Sequence, residues 1–103
     1  MSSDLKKEKI AAKNDACRRT FTGCRVMLTA GVEGDVNLDK VIQAVKTFDD
    51  FNEDNDPYLE HDFGKFTIED EDYFWKVDYY DKDYNFFQED GYRVLTIMRS
   101  DEY

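Results

Sequence analysis

His61, the one histidine of the chain, sits between Glu60 and Asp62 in the run DNDPYLEHD. A carboxylate beside an imidazole fixes its tautomer and supports its protonated form, which is how a general base is prepared. Neighbours in an extended chain point to opposite faces, so adjacency alone does not pair them. No serine or cysteine pattern marks a nucleophile nearby. A small enzyme using His61 with Glu60 or Asp62 is one reading; a histidine that anchors its loop by hydrogen bonds is the plainer one. Two stretches, Asp50-x-Asn52-x-Asp54 and Asp81-x-Asp83-x-Asn85, begin like calcium loops. Both lack the glycine at position 6 and the glutamate at position 12 that such a loop requires, so neither is an EF-hand. A looser divalent-ion site in this acidic loop is an open alternative, since clustered hard oxygens are what such ions bind, but no metal or cofactor is expected.

The strongest chemical signal is the acid itself. Residues 49–90 hold sixteen carboxylates against Lys65, Lys76 and Lys82, a local net charge of −13 in a chain of net −10. Twelve of the sixteen aromatics lie in the same stretch. A disordered acidic tail lacks aromatics because it has no core to bury, so this acid is expected on a folded scaffold. Such a surface repels nucleic acid and anionic membranes and attracts proteins that bind nucleic acid. Duplex DNA carries one charge per ~1.7 Å of axis, and its binding proteins offer matching lysine and arginine. Carboxylates held apart by a sheet can imitate that spacing. The bland reading is a solvated surface that keeps a small protein soluble. Aromatics interleaved with acid, as in FWKVDYYD, suit a core or a protein interface better than single-stranded nucleic acid.

These groups need elements to position them. A chain of 103 residues has room for one domain, 1–103. Residues 4–20 read as a basic helix, capped by Ser3 or Asp4, with Ile10, Asn14, Cys17 and Phe21 on one stripe, and Gly23 stops it. Residues 25–32 read as a strand and 33–35 as a turn. Leu38, Val41, Ile42, Val45 and Phe48 define an amphipathic helix over 37–51, with Asp49 and Asp50 at the end where the helix dipole disfavours anions. A connection broken by Pro57 follows. Residues 64–69 and 73–81 read as a hairpin around Asp70, Glu71 and Asp72, with Tyr73, Trp75, Val77 and Tyr79 on one face. Residues 82–91 are a loop and 92–99 a closing strand. The expected fold is α+β: two helices on one face of a four-stranded, mainly antiparallel sheet, in the order α-β-α-β-β-β. Cys17 and Cys24 match no zinc or redox spacing; they are expected as reduced, half-buried thiols, a disulfide being possible. No run approaches the ~20 apolar residues of a membrane span, and the N-terminus lacks the apolar core of a secretory signal.

In order, FTGCRVMLTAGV, FDDF, DNDPYLEHDFG, FWKVDYYD and YRVLTIM resemble a small family of unknown function found on proteobacterial plasmids, phages and other mobile elements. The resemblance runs over nearly the whole chain, and the DNDPYxEHDFG run is specific. Members often have a longer connection before the second helix and lack Cys24, which speaks against an essential role for that residue. What the resemblance implies is context: a mobile-element protein in the bacterial cytoplasm, often among anti-defence genes. The expectation is therefore a non-enzymatic, anti-CRISPR-type inhibitor that blocks DNA binding by occupying a basic surface of a CRISPR or restriction effector. It would act as a monomer or weak homodimer, with no direct contact to nucleic acid or membrane. The carboxylates expected to bind are Asp54, Asp56, Glu60, Glu69, Asp70, Glu71, Asp72, Asp81 and Asp83, with Phe74 and Tyr80 as apolar anchors. A general interaction or assembly module, binding through an aromatic sheet face, is the alternative beside the His61 enzyme.

Overall fold

The computed structural model describes residues 2–54, 56, 60–80 and 92–103, with side chains from Glu8 onward. Its order is α1 (Ser2–Thr20), β1 (Arg25–Leu28), α2 (Ala30–Glu33), α3 (Leu38–Thr47), β2 (Phe63–Ile68), β3 (Glu71–Tyr80), β4 (Tyr92–Arg99) and a 3-10 turn (Ser100–Glu102). The strands form one mixed sheet in the order β1-β4-β3-β2. β3 pairs antiparallel with both β2 and β4, while β1 runs parallel to β4 with Arg25 opposite Val94. The protein is α+β with a mainly antiparallel sheet, as the hydrophobic periods predict.

The inner sheet face is built by strict alternation. Tyr73, Trp75, Val77 and Tyr79 of β3 are all buried, beside Leu95 and Ile97 of β4. Val41 and Val45 of α3, Phe48 just past its end, and Ile10 and Cys17 of α1 close the core over them. The intervening residues Phe74, Lys76, Asp78 and Tyr80 are half-buried on the opposite face.

Three boundaries and the state of the cysteines differ from expectation. The strand over 25–32 stops at Leu28, because Ala30–Glu33 turns into the short helix α2. The carboxylate of Glu102 supports that turn, accepting the Gly31 amide (2.9 Å) and the Thr29 hydroxyl (2.7 Å) from far along the chain. Helix α3 ends at Thr47, since Phe48 is extended (ψ 130°), so Asp49 and Asp50 lie beyond the helix. The hairpin turn is Glu69-Asp70, one register earlier than the charge run suggests. Finally, Cys17 and Cys24 are not reduced thiols: they form a disulfide tying the end of α1 to the entry of β1. Their seven-residue separation carried no sequence signal; the turn through Phe21 (φ 58°) and Gly23 (φ 73°) brings them together. Closing so short a loop is worth about 2–3 kcal/mol in the chain-entropy picture.

Asp35 anchors the start of α3. Its carboxylate accepts the Tyr73 hydroxyl and the Asn37 amide, which together hold its pKa below the ordinary carboxylate value. The Tyr73 phenol is pushed up to about 12, by burial first and then by Asp35. A depressed carboxyl stabilises the fold above its unfolded-state value of 3.8, and that stabilisation is lost as pH falls through the lower folded value. Asp35→Asn is therefore expected to lower stability at neutral pH and to flatten the acid limb below about pH 4. Urea unfolding followed between pH 2 and 7 measures this; an unchanged acid limb would refute it.

Candidate functional site

Much of the exposed acid lies along one edge of the molecule, while Glu8, Glu33, Asp101 and Glu102 are exposed on other elements. β2 is an edge strand, and α3 lies beside it, running the opposite way. Phe48, at the end of α3, abuts Gly64 at the start of β2. Lys40, near the start of α3, lies 3.6 Å from Glu69, just past the end of β2. Asp49, Asp50, Glu53 and Asp54 are exposed at one end of this edge, and Glu69, Asp70 and Glu71 at the other. Six strand residues separate the two groups by roughly 20 Å.

The chain's own cations temper the hairpin end. Arg99 pairs with Glu71 (2.7 Å), Lys65 with Asp72 (3.7 Å) and Lys40 with Glu69. These pairs are solvent-exposed and contribute little individually. Asp49, Glu53, Asp54 and Asp70 have no ion pair among the described residues. Glu69 (φ 48°) and Asp70 (φ 71°) both adopt the left-handed conformation, completing a two-residue turn that normally takes Asn-Gly.

Other residues expected on this surface lie elsewhere. Asp56 is 2% exposed and faces inward, so it is not a displayed charge. Its Oδ1 accepts the amides of Glu60 and His61, both at 3.0 Å, and so shapes the loop. Glu60 is half-buried; its carbonyl accepts Asn14 Nδ2 (2.9 Å) and its carboxylate accepts the Tyr79 hydroxyl (3.3 Å). Phe74 and Tyr80 lie on the outer sheet face, away from the acidic edge; Phe74 packs on Phe63 and Tyr103. Asp81 and Asp83 fall outside the described residues.

His61 has a different pair of carboxylates from the one that its neighbours suggest. Its Nδ1 lies 3.0 Å from Asp15 on α1, and its Nε2 lies 3.6 Å from Asp56. The ring stacks on Phe51 at 3.9 Å, and the backbone is left-handed (φ 55°). Asp62 points elsewhere, into a site where burial, and then the charge of Glu60, raises its carboxyl. With both ring nitrogens facing carboxylates, His61 is a strut between α1 and the loop that leads into β2.

Beneath that strut runs a buried polar network that the sequence reading missed. Asn14, fully buried, donates to Tyr79 (2.8 Å) and accepts from Arg93 Nε (2.7 Å). Arg18, also fully buried, donates to the Val45 carbonyl (2.9 Å) and to Asp15 (3.0 Å), with its guanidinium 5.1 Å from the Trp75 ring. Burial lowers the Arg18 pKa, and Asp15 opposes that shift. The available signal was polar: Asn14 sits on the apolar stripe of α1, where an amide needs partners. Among the described residues no three His, Cys, Asp or Glu side chains gather as a metal site, and no helix is long and apolar enough to cross a membrane.

A family model described as a protein of unknown function, DUF3768, matches residues 26–102, three quarters of the chain. The chain belongs to that family. The matched span begins after α1, so Asn14, Asp15 and Arg18 precede it. No curated protein and no solved structure matches the chain.

Proposed function

We propose that this member of the DUF3768 family is a non-enzymatic inhibitor that lays its acidic α3–β2 edge on a cationic protein surface. The surface it fits is the nucleic-acid groove of a bacterial CRISPR or restriction effector, and it excludes nucleic acid by competition. The observation that carries this reading is the β2–β3 turn. Four successive carboxylates, Glu69 to Asp72, occupy its tip and exit, and the first two adopt a conformation costing roughly 1 kcal/mol or more per non-glycine residue. Asn-Gly would relieve that cost, and this chain carries charge there instead. A backbone outlier kept at a cluster of charge points to use of the charge.

Asp49, Glu53 and Asp54 extend the same charge to the far end of the edge, roughly 20 Å away, about the axial length of six base pairs of duplex DNA. The sheet supplies rigidity, and the His61 strut fixes the loop that carries the acid. Binding of this kind is screened by salt.

The test uses DNA binding by a purified CRISPR or restriction effector, titrated with this protein. Inhibition is expected to weaken at least about tenfold between ~0.05 and ~0.5 M salt. Combined reversal, Glu53→Lys with Asp54→Lys and Glu69→Lys with Asp70→Lys, is expected to abolish it. The pair Glu69→Asn with Asp70→Gly is expected to raise stability by about 1–2 kcal/mol while weakening inhibition. Undiminished inhibition by the reversed protein would end the proposal.

A further inference from the structure

The outer face of the sheet is independent of the acidic edge. Every described helix packs on the inner face, and the outer face carries a trough of about 610 Å³ running along β4. Val94, Thr96 and Met98 form its floor, Met27 and Tyr80 its sides, and Tyr103 closes one end. Val94 and Met98 are nearly buried, so the floor is recessed. Met27, Tyr92 and Tyr103 are three of the four large apolar side chains exposed among the described residues; Met27 and Tyr103 line the trough, and Tyr92 follows on the same face.

Arg25 and Lys76 balance Asp78 and Glu102 along the trough, so the side chains of its lining sum to zero charge. Lys76 pairs with Asp78 at 3.1 Å. Glu102 is spent on the Thr29 hydroxyl and on the amides of Gly31 and Arg99. In a chain of net charge −10, this is a surface suited to an occupant without net charge. Size narrows the choice further. Four strands about 4.8 Å apart and four to ten residues long make a face of roughly 400 Å². A stable interface needs about 800 Å² per partner, so neither a second copy nor a globular surface fits this face alone. The floor from Val94 to Met98 spans about 13 Å, the length of four or five extended residues.

We propose that the trough binds a short, extended, uncharged segment of a partner protein, with alternate apolar side chains seated on Val94 and Met98. Side chains of an extended segment alternate, so every second residue faces the floor. The flanking strand β1 is an edge strand, so the segment lies beside backbone that β4 pairs on one side only.

The probe is the capped peptide Ac-Leu-Ser-Leu-Ser-Leu-NH2, titrated into the full chain and followed by methyl and amide NMR shifts. Saturable shifts at Met27, Thr96 and Met98, with a Kd of about 1 mM or below, are expected. Peptides with aspartate or lysine in place of leucine should not saturate. Changing salt from ~0.05 to ~0.5 M should move the Kd less than about twofold, unlike binding at the acidic edge. Met27→Glu and Tyr103→Ser, both at exposed positions, should each weaken the peptide about tenfold, the loss of one apolar contact. The charge-reversed edge variants should bind it unchanged, so the two sites fail or stand separately. Absence of saturation, equal binding of all three peptides, shifts confined to the acidic edge, or concentration-dependent self-association through Met27 and Tyr92 would each overturn the assignment.

Discussion

Gly64→Ala is expected to destabilise the protein by about 3 kcal/mol, the upper end of the usual cost of overpacking. A Cβ at this position would overlap the Trp75 indole and stand 2.7 Å from Cζ of Phe48. Neither neighbour has room to move. Trp75 is fully buried and directly opposite Gly64 in the β2–β3 register. Phe48 and Phe51 both meet the indole edge-on, at 5.5 and 6.1 Å. The extra methyl must therefore displace a strand or a ring stack. For a domain of this size such a loss corresponds to a fall in Tm of roughly 15 °C, read by circular dichroism. Gly34→Ala is the internal control. There the added carbon would sit 3.6 Å from the Ala30 carbonyl oxygen at an ordinary φ of −92°, and the change should be neutral or slightly stabilising. Equal effects at the two glycines would contradict this account of the β2–α3 contact.

Arg18→Ala is expected to cost about 3–5 kcal/mol, because it breaks a buried charge pair and leaves a cavity beside Trp75. The Val45 carbonyl would lose its side-chain donor, and Asp15 would keep His61 as its partner among the described residues. Arg18→Met separates packing from charge. Methionine restores much of the volume against Trp75 and Phe51 without a guanidinium. Asp15 is about one-fifth exposed and can be hydrated once its partner is gone. The methionine variant should therefore lose only about 1–2 kcal/mol. Urea unfolding of the three proteins measures the difference. If methionine were as damaging as alanine, the charge rather than the packing would hold α1 in place.

The two kinds of residue in this account were not equally legible. Alternation in β3 and the i, i+3, i+4 stripe of α3 correctly assigned Tyr73, Trp75, Val77, Tyr79, Val41 and Val45 to the interior, because burial on a period is a local property of the chain. The exposed carboxylates of the turn were legible for the same reason. Asp56 was not: a carboxylate in an acidic run gives no sign that it faces inward until two amides converge on it. His61 drew attention through Glu60 and Asp62, yet its partner across 46 residues is Asp15, which only the packing of α1 against Glu60 and His61 can select. α2 escaped notice because its support, Glu102, comes from the far end of the described fold. The disulfide likewise depends on a tertiary turn, and its presence bears on which compartment suits the oxidised form.

The order of the strands has a consequence for how the molecule is made. β4 is the last of the four described strands to be synthesised, yet it occupies the interior of the sheet, between β1 and β3. β1 emerges some seventy residues ahead of its only partner, Arg25 having to await Val94. The nascent chain can form α1, α3 and the β2–β3 hairpin, but its first strand stays orphaned until translation has passed residue 99. Native assembly is then a late, cooperative event dominated by non-local pairing. Nonsense or frameshift alleles truncating the chain ahead of Tyr92 would remove the keystone strand and not merely a peripheral one, leaving β1 unpaired and one edge of β3 open to misassociation.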